Sequence, residues 1–344
     1  MRVASLIGVW LAGASQVALG ATLFSASQGV DAPSCGPAKS PCRSISQAIA
    51  NAAAGDTIIV GPGYYGDLDG DGVFGETGEE TAEIGSGCDC VVKIDKRLGV
   101  RSRDGATATV IDAAGLVISA VSILGSGAAS ASLGGANAGF TLRGGQGAGV
   151  IVDAAASGVG LAGNVALRNA GDGFIVAGVA ARVTGNRALE NDGSGFQFAG
   201  DGVMASGNAA SANGGDGFFC FALGGSVQKS VASGNVGYGF EAIFADFEFH
   251  SVAALGNGIG GVFFDASSGS LTASSLIGNG RGGGVNCGVV NDTGGAIVAT
   301  GNYWGAATGP GADPADDACD GTSATTTTAP FVKTEIKIRP KPLR

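Results

Sequence analysis

Asn186-Arg-Ala-Leu-Glu-Asn-Asp-Gly-Ser-Gly-Phe-Gln-Phe-Ala-Gly-Asp-Gly-Val-Met-Ala-Ser-Gly207 is the stretch that decides how the chain folds. Its apolar runs are about 3 to 5 residues long and are separated by Gly, Asn and Asp, which are strand and turn signals, and none is long enough for a helix. The stretch therefore holds three short strands: a first at Phe196 to Phe198, a second around Val203 to Ser206, and a third at Arg187 to Glu190. Asn208 follows at the bend between strands, because Asn tolerates a left-handed backbone and its amide can bond the equivalent Asn one turn along.

The same beat runs outward from this unit. Asn169, Asn191, Asn213, Asn235, Asn257 and Asn279 stand 22 residues apart, and Asn302 follows after 23. Phe174, Phe196, Phe218, Phe240 and Val262 keep the interval, and a second row, Asn164, Asn186 and Asn208, runs five residues ahead of the first. So strict a period means stacked structural turns that bury a continuous core only by lying on their neighbours. Leucine-rich repeats would need Leu-x-x-Leu-x-Leu where this chain has Phe, Val and Ala. Calcium-binding nonapeptides would explain Gly171-Asp172-Gly173 and Gly215-Asp216-Gly217, but they require a beat of about 9, and hexapeptide coils a multiple of about 6.

The repeat resembles the right-handed parallel β-helices of the pectin-lyase-like superfamily, where asparagine ladders stand at a one-residue bend. The resemblance implies an all-β fold, a single-stranded right-handed parallel β-helix with three short strands per coil of about 22 residues. Cys42-Arg-Ser-Ile-Ser-Gln-Ala-Ile-Ala-Asn-Ala-Ala-Ala-Gly-Asp-Thr-Ile-Ile-Val-Gly-Pro-Gly-Tyr-Tyr65 is similar to the segment that opens many secreted bacterial β-helix proteins. Asn302-Tyr-Trp-Gly305 resembles the superfamily's closing turn, with Trp304 expected over the last layer.

Composition narrows the function. The 344 residues include 65 Gly, yet no Gly-X-Y triplet recurs and 45% of residues are hydrophobic, so neither collagen nor simple disorder fits. A net charge of -10 leaves no basic patch for nucleic acid or an anionic membrane. Residues 1–20 read as a secretory signal: Arg2, an apolar run from Val3 to Leu11, then Ala18-Leu19-Gly20, with cleavage expected after Gly20 or Ala21. No segment is suited to membrane insertion, so the expected location is secreted, periplasmic or cell-surface.

The β-helix is expected over 21–321, with regular coils over 164–305 and a tail over 322–344. A cap helix over 41–55 is signalled by Ser44 ahead of the stripe Ile45, Ala48, Ile49 and Ala52, with Gly55-Asp56 ending it before the strand Thr57-Ile-Ile-Val60. In the tail, Phe331-Val-Lys333 and Ile336-Lys-Ile338 read as a strand laid over the end. Cys35 and Cys42 are expected to bridge. Cys220 and Cys287, about three turns and roughly 14 Å apart, are out of reach of one another. Cys287 then has Cys319 as its candidate partner, and Cys88 and Cys90 stay unassigned.

The most chemically pointed stretch is the inserted acidic loop over 67–80. Asp67, Asp69 and Asp71 at loop positions 1, 3 and 5, Gly72 at 6 and the Val73 carbonyl at 7 match a calcium loop of the EF-hand type. The match departs at position 12, which is Gly78, so Glu76, Glu79 or Glu80 must supply the last oxygens. The competing reading is a solvated acidic loop.

In enzymes that the fold resembles, glycan lies across the outward face of the first strand of successive coils. Carried over by register, that face presents Ile175, Gln197, Phe219, Glu241, Phe263 and Asn286, with Asp265 two residues beyond Phe263. Such a row can stack on sugar faces and bond hydroxyls of a polysaccharide or cell-surface glycan, unless neighbouring loops cover Phe219, Phe221 and Phe263. Glu241 and Asp265, with α-carbons roughly 8 Å apart, would also suit inverting hydrolysis. Against an enzyme, the chain lacks a Gly-His-Gly or a strand-borne Asp-Asp, its one histidine is His250 on the second strand of its coil, and the cations of the ladder region lie off the outward row. The sequence thus favours a secreted, non-catalytic β-helix, a surface or matrix module that binds glycan or merely presents a long rigid face. The alternative is a calcium-dependent polysaccharide lyase or a glycoside hydrolase.

Overall fold

A computed structural model describes residues 20–84, 88–281 and 285–340. The leader expected over residues 1–20 falls, but for Gly20, outside the described residues. The described strands form three sheets of ten, twelve and nine strands. In the first sheet Phe196–Phe198 lies between Asp172–Val176 and Phe218–Cys220, parallel to both. In the second, Val203–Ser206 lies between Arg182–Thr184 and Gly225–Gln228. In the third, Arg187–Leu189 lies between Val165–Leu167 and Ala209–Ser211. The chain visits the three sheets in turn and returns one coil further on, a right-handed parallel β-helix.

The core is a column of side chains repeating with the coil. Phe174, Phe196, Phe218 and Phe240 are buried and stack ring on ring, with centroids 4.8, 4.8 and 4.9 Å apart and planes within 7°. That spacing is the separation of neighbouring strands, so parallel in-register pairing itself brings the rings to contact distance.

At the corners, the asparagine amides close the polar account. Asn191 Nδ2 donates to Asn213 Oδ1 at 2.9 Å and to Ala166 O at 3.2 Å, while Asn213 Oδ1 also accepts from Asn191 N at 3.1 Å. Every amide in the row thus satisfies backbone groups of the neighbouring coils. The left-handed residue at each corner is the one before the asparagine: Glu190 (φ 54°) precedes Asn191 and Gly207 (φ 69°) precedes Asn208. Asn208 is therefore selected for its amide, not for tolerance of the bend, and the positive φ at Glu190 ends the strand at Leu189.

The second row passes through serines, with Asn208 N donating to Ser230 Oγ and Val252 N to Ser274 Oγ, and it finishes at Asn302, whose Oδ1 accepts from Ser274 N at 2.9 Å. Asn302 thus belongs to the second row rather than the first. The first row ends instead on Asp316, which accepts from Asn279 Nδ2 at 2.7 Å.

At the N-terminal end, Ile45–Asn51 is helical and Ser44 Oγ accepts from Gln47 N at 3.0 Å, as the sequence pattern predicts. Thr22–Ser25 adds a strand beside Thr57–Val60 that sequence reasoning did not place. At the other end Trp304 is fully buried. The tail strand is Thr325–Thr327, paired with Ala296–Val298, whereas 331–338 contains no strand and holds on through Ile336 N to Ser275 Oγ. The threonine run wins because β-branched hydroxyl residues suit a half-exposed edge. Disulfides join Cys35 to Cys42, Cys287 to Cys319 and, unassigned from sequence, Cys88 to Cys90, while Cys220 is a buried thiol.

Replacing Asn191 by Ala strips partners from several buried backbone groups, each costing about 1–3 kcal/mol. The substitution is expected to lower the thermal midpoint by several degrees, while exposed Asp192→Ala leaves it within about a degree. Equal midpoints for the two variants in a thermal melt would contradict the ladder's role.

Candidate functional site

Strand pairing in the first sheet fixes the outward row. Ile175, Gln197, Phe219, Glu241 and Phe263 are consecutive partners across five strands, each half-buried. The next position is Val290 rather than Asn286, because the coil from Val262 to Val289 is longer than its predecessors. Asn286 instead donates to Gly311 O and Ala315 O, both at 2.7 Å, and anchors the loop beyond. Asp265 pairs in register with Ile243 on one side and Asp292 on the other.

A parallel row three residues nearer the start of each strand adds groups that the outward row alone does not reveal. Tyr238 pairs with Gly260, and its ring stacks on Phe263 at 4.7 Å between centroids with planes 17° apart. A Cβ on Gly260 would lie 2.9 Å from Tyr238 Cε1, so the missing side chain is what lets the ring lie flat. On the far edge, Phe221 and Phe244 are 50% and 63% exposed and meet edge to face at 6.4 Å. These aromatics are not covered by neighbouring loops.

Asp216 is the second addition. Its Oδ1 accepts from Tyr238 N at 2.6 Å, as Asp172 Oδ1 accepts from Ser194 N at 2.6 Å, so the two Gly-Asp-Gly fragments serve as clamps from one coil to the next. Asp216 also shares a hydrogen bond with Glu241. The Glu241 carboxyl is pushed up to about 9, first by burial, then by that bond and the negative charges of Asp216 and Asp265. Near neutrality Glu241 is therefore a neutral acid that donates to its neighbour Asp216. The Tyr238 hydroxyl is raised as well, by burial and then by the charges of Glu241, Asp216 and Asp292. The recurrence of Gly-Asp-Gly on the coil beat at Asp172 and Asp216 was the sequence signal for this pair.

Cations are remote from the cluster. The sole Lys or Arg on the strands of the first sheet is Lys93, six strands from Glu241 and so about 29 Å away, and it is bonded to Glu83 at 2.9 Å. His250 lies on the second sheet, exposed, within 3.0 Å of Thr272 Oγ1. The acidic loop with Asp67, Asp69, Asp71, Val73, Glu76 and Glu79 is also separate: it follows the strand Gly63–Tyr65 and packs beside the cap helix.

Three in-register parallel sheets joined by asparagine ladders settle the architecture. It is a right-handed parallel β-helix. A crystal structure of the pectate lyase Pel9A aligns with it at a TM-score of 0.47 and 15% identity, covering 90% of this chain and 78% of the other. A rhamnogalacturonan lyase aligns at a TM-score of 0.39 and 12% identity, covering 82% and 73%. No protein-family model and no curated protein matches the chain. At this level of similarity the likeness concerns the path of the chain, and what this face does has to be argued from its own residues.

The Glu241 proton gives the site a pH signature. The folded carboxyl keeps its proton to about 9, whereas the unfolded one loses it near 4.5. The contribution of this proton to stability is therefore greatest at the acid end of that window, falls as pH rises through it, and is gone above it. Glu241→Gln, neutral throughout and still able to donate to Asp216, removes the slope. Thermal melts at intervals from about pH 5 to about pH 9 should show wild type losing ground steadily to the variant; parallel profiles would contradict the shared proton.

Proposed function

We propose that this protein is an extracellular β-helix that holds a neutral polysaccharide across the outward face of its first sheet without cleaving it. The observation that carries the reading is the stacked Tyr238–Phe263 pair lying against the hydrogen-bonded Asp216 and Glu241 carboxyls. Half-exposed rings offer flat apolar area to the faces of sugar rings, and the adjoining carboxyls and Gln197 offer donors and acceptors to hydroxyls. Phe219, one strand before Glu241, extends the platform along the coil stack. A linear chain laid across the strands would meet a new side chain about every 4.8 Å.

Charge favours a neutral ligand. Asp172, Asp216, Asp265 and Asp292 all stand on the outward side of this sheet, and a polyuronate would meet carboxylates with no cation opposite. Three disulfides support an oxidising, extracellular setting, and no helix among the described residues is long and apolar enough to cross a membrane.

The binding reading is preferred to a catalytic one on geometry. Glycoside hydrolysis uses carboxyl groups about 5–5.5 Å apart for retention and about 6.5–9.5 Å apart for inversion, whereas Glu241 has Asp216 as an immediate neighbour. A lyase needs a base at the substrate, and the sheet's lysine is about 29 Å away along the strand stack. One observation favours a second reading: Glu241 retains a proton, as a general acid must, and Asp265 stands nearby on the same face as a candidate base.

A panel of neutral and uronate-containing polysaccharides, incubated in chelator and separately in calcium, separates the readings. The proposal expects co-sedimentation with a neutral glycan in chelator and no new reducing ends. Phe263→Ala and Tyr238→Ala should each weaken retention roughly three- to tenfold. Released reducing ends that vanish in Glu241→Gln would establish hydrolysis instead, unsaturated uronate absorbance would establish a lyase, and absence of binding to every glycan would overturn the proposal.

A further inference from the structure

The insertion after Gly63–Tyr65 is built in a way that the glycan face does not explain. One carboxylate oxygen from each of Asp67, Asp69 and Asp71 lies within 4.8 Å of the others. Their protein partners are N–H groups of the loop itself: Gly70 and Gly72 donate to Asp67 at 2.7 and 2.8 Å, Asp71 donates to Asp69 at 3.2 Å, and Val73 donates to Asp71 at 2.8 Å. Among the described residues no Lys or Arg forms an ion pair with any of the three.

An acidic loop of this kind is common on surfaces, and the independent observation is Glu79. Its side chain is 4% exposed, and Oε1 accepts from Leu68 N at 2.7 Å, the residue between Asp67 and Asp69. The other oxygen, Oε2, is buried and has no hydrogen-bond partner. An ionised oxygen left so is costly unless a cation meets it. Glu76 and Glu79 border a depression together with Leu68 and Asp69.

Glu80, the neighbour of Glu79, faces the other way. Its two oxygens accept from Ile45 N at 2.6 Å, Ser46 N at 2.8 Å and Ser46 Oγ at 2.6 Å, so it holds the first turn of the cap helix and is not free to ligate. Adjacent residues therefore tie the loop's interior to the lid over the core.

We propose that Asp67, Asp69, Asp71, the Val73 carbonyl and Glu79 bind one calcium ion, with Glu76 at its open side, and that the ion fastens the cap helix through Glu80. The all-oxygen set and its flexible backbone suit calcium better than magnesium, which demands near-ideal octahedral geometry. Gly78 stands where a bidentate Glu would complete an EF-hand loop, so the affinity expected is that of extracellular modules, with Kd about 10⁻⁴–10⁻³ M. Saturation would slow opening of the helix that shields the first coil.

The test uses the full chain, stripped with chelator and titrated with calcium chloride by calorimetry, with hydrogen exchange followed at the Ile45 and Ser46 amides. Expected are one calcium per chain bound at the loop, a higher thermal midpoint, and slower exchange at the two amides. Glu79→Gln, which keeps an acceptor for Leu68 N, and exposed Asp71→Asn should each weaken binding at least tenfold and abolish the exchange effect. Should Glu79→Gln fail to fold, Asp71→Asn carries the test alone. No calcium binding, or binding unaltered by the variants, would overturn the site; binding that leaves the cap amides unchanged would overturn the coupling. No polysaccharide enters the assay, so its outcome is independent of the glycan proposal.

Discussion

A single amide contact, repeated from coil to coil, sets the dimensions of everything else. When Asn191 Nδ2 reaches Asn213 Oδ1, two corners 22 residues apart are held at strand spacing. The intervening residues must then supply the same three strands as the coil before. Parallel pairing in three sheets follows, as does the face-to-face stacking of Phe196 and Phe218 at 4.8 Å. A buried amide with all its groups bonded tolerates no slip, since a shift of one residue would turn Phe196 and Phe198 outward and bring Gln197 into the core.

That constraint also explains why a surface site can exist on so plain a scaffold. Outward positions on the first sheet are free of packing duty, yet they are placed as rigidly as the core beneath them. Tyr238 rests on Phe263 only because Gly260, at the matching position one coil later, has no side chain. Asp216 clamps the next coil through Tyr238 N and, from that position, meets Glu241. One residue thus serves the fold and the site together, and the cluster's charge can be held close because the backbone does not give.

Much of the fold was legible in the sequence, since the beat of Asn and Phe is a direct image of the stack, and the cap showed in Ser44 and its apolar stripe. What escaped had physical reasons. The second ladder passes through Ser230 and Ser274, whose hydroxyls do the work of an amide, so Asn302 seemed to continue the first row. The coil before Val289 is longer than its predecessors, which moved Val290 to the place expected for Asn286. Asp216 lies three residues from the row that was followed, and its importance comes from a contact between coils, which a linear reading does not display. Glu79 and Glu80 were alike by spacing, and their partners separate them: Glu79 accepts from Leu68 N, whereas Glu80 holds the first turn of the cap helix.

The account stands on interchangeable coils locked in register, and excising one coil tests it most directly. Removing Asn191–Ala212, one full repeat of 22 residues, joins Glu190 to Asn213 and restores every row. Removing Asn191–Ser211, one residue fewer, displaces all that follows by a single position. Circular dichroism with thermal melting should show the first deletion folding as a shorter β-rich protein with a cooperative transition, and the second losing that transition. Two deletions that fold equally well, or a full-repeat deletion that does not fold, would contradict the register on which the structure and its site depend.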